Sequence, residues 1–199
     1  MKNWNLLHTH VINCLKAKLS TFLYYHDWKH TQHVLEMAEF IARQENIEEY
    51  DIMLLKTAAL FHDAGFINIL NDGHEEESVQ LAEKELPEFG YNKDEIEKIS
   101  GMIRATKIPQ QPKNELECIL ADADLEYLGT DSFEHIANKL YQELKHYNPS
   151  LSLEEWNDIQ INFLQAHFYH TKYCIQNRTE AKEKNLKLLI LQRKSIKQK

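Results

Sequence analysis

The stretch DWKHTQHVLEMAEFIA, residues 27–42, decides the fold class. Asp27 is placed to cap a helix, and His30, Val34, Met37, Ala38 and Ile41 follow at steps of three and four. That spacing puts them on one face of an α-helix. The same period runs outward in both directions. Upstream, Leu7, Val11 and Leu15 step by four. Downstream, Leu54, Leu55, Ala58, Ala59 and Phe61 mark a helix that ends near His62, and Gly65 breaks the pattern. Val79, Ala82 and Leu86 form a short acidic helix stopped by Pro87, and Asn92 with Glu95 reads as a capping box before Ile96, Ile99 and Ile103.

The second half reads the same way. Residues 107–114, KIPQQPKN, form a loop. Leu116, Ile119, Leu120, Ala123 and Tyr127 form the next stripe, closed by Gly129. Asp131 with Glu134 is expected to cap a helix carried by Phe133, Ile136, Leu140 and Leu144. After the loop at 146–150, Ser152 with Glu155 opens one last long helix. Its stripe runs through Trp156, Ile159, Phe163, His167, His170 and Cys174. No segment alternates with period two. The expectation is a single all-α domain over residues 1–199, with about seven or eight helices.

Composition agrees. The 199 residues are 43% hydrophobic and 27% charged, with only five Gly and four Pro, too few turn-formers for a β-sandwich. A chain of this length buries roughly 70% of its unfolded surface and needs no staple to fold. The net charge of −8 disfavours nucleic acid as a partner. Cys14, Cys118 and Cys174 are odd in number and form no CxxC pair. The N-terminus lacks a signal-peptide core, and no run of about 18 apolar residues appears. A cytoplasmic location, reduced thiols and no membrane partner are therefore expected. Residues 71–98 hold ten acids against three lysines, and the tail from Lys182 is basic. These are solvated faces, with room for a homo-oligomer contact of acid against base.

The chemistry lies in the histidines and aspartates. His30 falls on the inward stripe of its helix, and His62-Asp63 sits where another helix runs out. A divalent metal can take imidazole nitrogen and carboxylate oxygen together. Residues 120–129, LADADLEYLG, offer a further carboxylate. Asp124 lies roughly 70° from the middle of the apolar stripe and Asp122 roughly 130°. Asp124 is the better ligand candidate; Asp122 is expected to turn toward solvent, as an outer or substrate-side group.

The order His30, His62-Asp63, Asp124 resembles the HD superfamily of metal-dependent phosphohydrolases. The likeness is carried by YYHDWKHTQHV (24–34), ALFHDAGF (59–66), HEEES (74–78) and ILADADLEYLG (119–129). It covers a motif-bearing core of about residues 24–130, with C-terminal helices over 131–199. It implies a divalent metal held by His30, His62, Asp63 and Asp124. A bound ion lowers the pKa of its water, and Asp63 is expected to hold that water and accept its proton. Mn, Fe, Co, Ni or Zn suit that donor set, with Mg allowed. The opening motif resembles that of cyclic-nucleotide phosphodiesterases, which gives His26 the role of protonating the leaving group. Two-metal members carry further histidines; His74 is a candidate for one. IRATKIP (103–109) offers none, so one metal per chain is expected.

The expected function is hydrolysis of a phosphoester of a small metabolite, a nucleotide first, by metal-activated water. Arg104, Lys107 and Arg178 are candidates to meet the phosphate, and His167 and His170 to line the pocket mouth. Two other functions fit the resemblance: a non-enzymatic HD-like signalling or interaction module, and a di-iron HD-type oxygenase.

Overall fold

Local sequence sets most helix boundaries. In the computed structural model, which describes residues 2–70 and 73–196, the elements are α-helical or 3-10 helical and no strand occurs among the described residues. The order is α1 (Trp4–Lys18), α2 (Trp28–Gln44), α3 (Glu49–Phe61), α4 (His74–Glu85), α5 (Lys93–Ala105), α6 (Glu115–Leu125), α7 (Phe133–Tyr147), α8 (Leu153–Ala166) and α9 (Lys172–Ile196). Short 3-10 turns follow α3 (Ala64–Ile67), α4 (Leu86–Phe89) and α6 (Glu126–Gly129). Asp27 caps α2 by accepting from the backbone N–H of Lys29 (2.8 Å) and His30 (2.9 Å). Asn92–Glu95 and Ser152–Glu155 form complete capping boxes. At α7 the cap position falls on Ser132 instead of Asp131, and its side chain makes no capping bond.

Two apolar cores result. The larger is built by α1 to α6 around α3, which is apolar nearly all round: Ile52, Leu54, Leu55, Ala58, Ala59, Leu60 and Phe61 are all buried. Such a helix belongs inside a bundle. The second core joins Tyr25, Leu125, Tyr127, Leu128, Phe133, Ala137, Trp156, Leu164 and Leu189 from the C-terminal helices. Two close approaches lock the arrangement. A Cβ on Gly65 would lie 2.0 Å from the His74 carbonyl oxygen, and one on Gly129 would lie 2.4 Å from the Arg178 carbonyl oxygen. The first lets the turn after α3 touch the start of α4; the second lets α9 lie on the turn after α6.

Two expectations change. The one long C-terminal helix is two, α8 and α9, broken over residues 167–171. Asp122 does not face solvent; it is 0% exposed. The two facts share a cause. The Asp122 carboxylate accepts from the backbone N–H of His170 (2.9 Å), the backbone N–H of Thr171 (2.8 Å) and the Thr171 hydroxyl (2.7 Å). Thr171 in turn accepts from the backbone N–H of Cys174 (3.2 Å), at the start of α9. The broken segment covers the face of α6 that the period assigns to water.

Among the described residues no helix is long and apolar enough to cross a membrane. The three cysteines are free thiols. Several acids of the 71–98 run are paired within the chain: Glu76 with Arg104, Glu85 with His10 and Glu95 with Lys2. Asp72 and tail residues 197–199 lie outside the described residues.

Asp122→Ala leaves buried N–H groups without an acceptor, which costs about 2–4 kcal/mol. Urea unfolding should show that loss. A change below about 0.5 kcal/mol would mean the Asp122 tie is not structural.

Candidate metal centre

Three helices deliver four side chains to one point. The cap on α2 fixes His30 in its first turn, α3 ends at His62-Asp63, and Asp124 sits in the last turn of α6. His30 Nε2 lies 3.1 Å from Asp124 Oδ1 and 3.4 Å from His62 Nε2. His62 Nε2 lies 3.1 Å from Asp63 Oδ2, and His30 Nε2 lies 3.5 Å from the same oxygen. Ligand atoms of His30, His62 and Asp124 all fall within 4.8 Å of one another.

The donor set fits a cation. Asp63 Oδ2 is buried and accepts no hydrogen bond; His62 Nε2, 3.1 Å away, carries no proton to give when the ring is neutral and protonated on Nδ1. An orphaned carboxylate oxygen in a core is costly unless something charged takes it up. The Nδ1 of His62 lies 2.8 Å from the Ala59 carbonyl and donates to it, which leaves the Nε2 lone pair facing the cluster. Two neutral imidazoles and two carboxylates carry −2, the charge a divalent ion cancels. Protons do that work otherwise. Burial opposes charge on His62, yet Asp63 and Asp124 outweigh it and raise its pKa well above the usual range. Burial would likewise raise Asp63, but His62 holds it far below the ordinary carboxylate value. Against the same burial, His30 and His62 hold Asp124 at about 2.

Two more histidines border the cluster. His74 Nε2 is 3.6 Å from Asp63 Oδ1, and its ring stacks on Phe66 at 4.0 Å. Burial lowers its pKa, so it stays neutral. The Nδ1 of His26 bonds Glu143, whose other carboxylate oxygen accepts from the backbone N–H of Tyr25 (2.9 Å) and His26 (3.1 Å). Burial alone would lower the pKa of His26; Glu143, with Asp63 and Asp124, turns the shift upward. Sequence reading missed Glu143. The signal was present: Glu143 stands three residues after Leu140, on the inward stripe of α7, where an acid has no place without a partner.

A cavity of 290 Å³ opens on this cluster. His26, Asp63, His74, Glu75 and Asp124 line one end; Tyr127, Leu128, Phe133, Ala137, Leu140, Trp156, Phe163 and Leu164 line the rest. The expected phosphate and pocket residues are not brought to it. Arg104 is held bidentate by Glu76 at 2.8 and 2.9 Å, and with the exposed Lys107 it borders a separate surface groove. Arg178 is bound by Glu126. His167 is buried beside Lys182, and burial together with that ammonium lowers its pKa to about 3. His170 serves Asp122 through its backbone.

Comparison with known proteins agrees with the geometry. No curated protein matches the chain. A solved structure of Bacillus subtilis YpgQ in complex with ADP is similar, with a TM-score of 0.64 and 19% identity over 95% of this chain and 96% of that one. A predicted HD superfamily hydrolase from an uncultured Thermotogales bacterium aligns with a TM-score of 0.55 and 21% identity, over 79% and 88%. At such identities the likeness concerns the fold. The HD domain family model matches residues 28–126, a span that holds His30, His62, Asp63 and Asp124. On that match this chain belongs to the HD domain family.

Proposed function

We propose that the protein is a metal-dependent phosphohydrolase that cleaves a phosphoester of a small metabolite. The observation that carries this reading is the largely buried His30–His62–Asp63–Asp124 cluster at the end of a ligand-sized cavity, inside an HD domain. These four residues would hold one divalent ion. Nitrogen and carboxylate donors favour Mn, Fe, Co, Ni or Zn. Such an ion supplies Lewis acidity, lowering the pKa of water and neutralising charge that develops on phosphoryl oxygens. The ADP bound by YpgQ supports a small phosphorylated ligand on this fold.

The chain's own groups divide the proton work. His26 reaches the cavity, and its bond to Glu143 raises its pKa and so favours the protonated form, which places it to donate a proton to the leaving oxygen. Asp63 accepts a hydrogen bond from the attacking water and orients it. A carboxylate that would be bound to a divalent cation is a weak base. The neutral imidazole of His74, 3.6 Å from Asp63 Oδ1, is placed to take the proton.

Saturating Mn²⁺, at about a hundred times its dissociation constant, should stabilise the protein by about 2.7 kcal/mol. That raises the thermal midpoint by about 5–10 °C. Asp124→Ala should lose the shift; an unchanged shift would remove Asp124 from the metal site. His26→Ala should keep the shift and lose about 10²–10⁴-fold in kcat. Full activity in His26→Ala would rule out its role as acid.

Glu143→Gln tests positioning separately. The titratable groups facing His26 are Glu143, Asp63, Asp124, Tyr25, His30 and His74. Glu143 raises the His26 pKa, so its loss lowers it, and the protonated acid disappears at lower pH. The alkaline limb of the kcat/KM profile should move to lower pH, with kcat down about 10–100-fold. A fall in kcat with the limb unmoved would mean Glu143 only supports the fold.

A further inference from the structure

The two ends of the 290 Å³ cavity differ in kind. Protein cores pack with few voids larger than a water molecule. This space interrupts the second apolar core and reaches the His–Asp cluster, and its volume is near the lower bound of about 300 Å³ for ligand pockets. Apart from Gln160 and Thr106, its wall beyond the cluster is aromatic and aliphatic, with Tyr127, Phe133, Leu140, Trp156, Phe163 and Leu164 prominent. Among the described residues that line it there is no Lys or Arg; the acidic groups are Asp63, Glu75 and Asp124. Arg104 and Arg178 are engaged with Glu76 and Glu126 away from this wall.

Charge then selects the substrate. One phosphoryl group can be met at the His–Asp end by the divalent ion and by His26. A second or third phosphate finds no Lys or Arg among the lining residues and would leave water for an apolar wall that cannot match its charge. An uncharged apolar group gains by leaving water for the same wall. We infer that the substrate is a monophosphate ester of an apolar alcohol, aromatic or branched, whose organic group fills the cavity. This rests on the phosphohydrolase reading and departs from a nucleoside polyphosphate. In the reaction the ester P–O bond breaks and its electron pair stays with the leaving oxygen, which takes a proton from His26. Water oxygen forms the new P–O bond and gives up a proton on the Asp63–His74 side. The products are the free alcohol and inorganic phosphate.

The test has two arms. In the first, wild-type protein with Mn²⁺ is assayed for phosphate release from 1-naphthyl phosphate, AMP and ADP. The expected kcat/KM for 1-naphthyl phosphate is at least tenfold above that for either nucleotide; AMP or ADP equal or better overturns the inference. In the second, calorimetry follows 1-naphthol binding to metal-free protein. Ala137 lines the cavity on α7 and belongs to the second apolar core. Ala137→Trp should weaken binding at least tenfold, and the milder Ala137→Leu should weaken it less if the larger side chain prevents folding. No binding to wild type, or unchanged affinity in the folded variants, overturns the inference. Binding that Ala137→Leu weakens, with no phosphate released from any ester, overturns the phosphohydrolase reading and supports the apolar ligand class.

Discussion

Two carboxylates largely withdrawn from water, Asp63 and Asp124, have to be balanced, and the arrangement of the site helices follows from that need. Asp63 and Asp124 share one pocket, with their charge facing His30 and His62. Ionised carboxylates leave water at a cost of several kcal/mol each unless matched by positive charge at close range. The match comes from α2, α3 and α6, so these helices cannot shift independently. The cap at Asp27, the end of α3 and the touch of Gly65 on the His74 backbone are the local means of holding them in register.

The second core gives this charged point a surrounding. Helices α7 and α8 bring apolar walls to one side of the cluster, and α7 also brings Glu143 to His26. The carboxylate that sets the state of His26 thus comes from the same helix that shapes the cavity. The Asp122 tie holds the 167–171 segment on α6 and so sets where α8 ends and α9 begins. A structural aspartate and a site aspartate stand two residues apart on one helix, with unlike duties.

Much of this could be read from local pattern. Helical period, capping residues and His-Asp adjacency are properties of short segments, and they placed α2, α3 and the positions that meet at the cluster. What escaped depends on covering by distant chain. Helical phase turns Asp122 outward only if α6 has a wet face, and residues 167–171 remove that face. The stripe from Trp156 to Cys174 is continuous in sequence, yet the backbone opens at His167, where ψ is 137°. Arg104 and Arg178 were singled out for their charge, which does not reveal that Glu76 and Glu126 already bind them. Glu143 was legible in the phase of α7, but its partner His26 lies 117 residues away.

The central claim is that His30, His62, Asp63 and Asp124 surround one divalent ion. Anomalous diffraction from crystals grown with Mn²⁺ tests it most directly. The account predicts one strong peak, within about 2.0–2.3 Å of His30 Nε2, His62 Nε2 and an oxygen of each aspartate. A cluster that stays without a peak while Mn²⁺ binds elsewhere would contradict it.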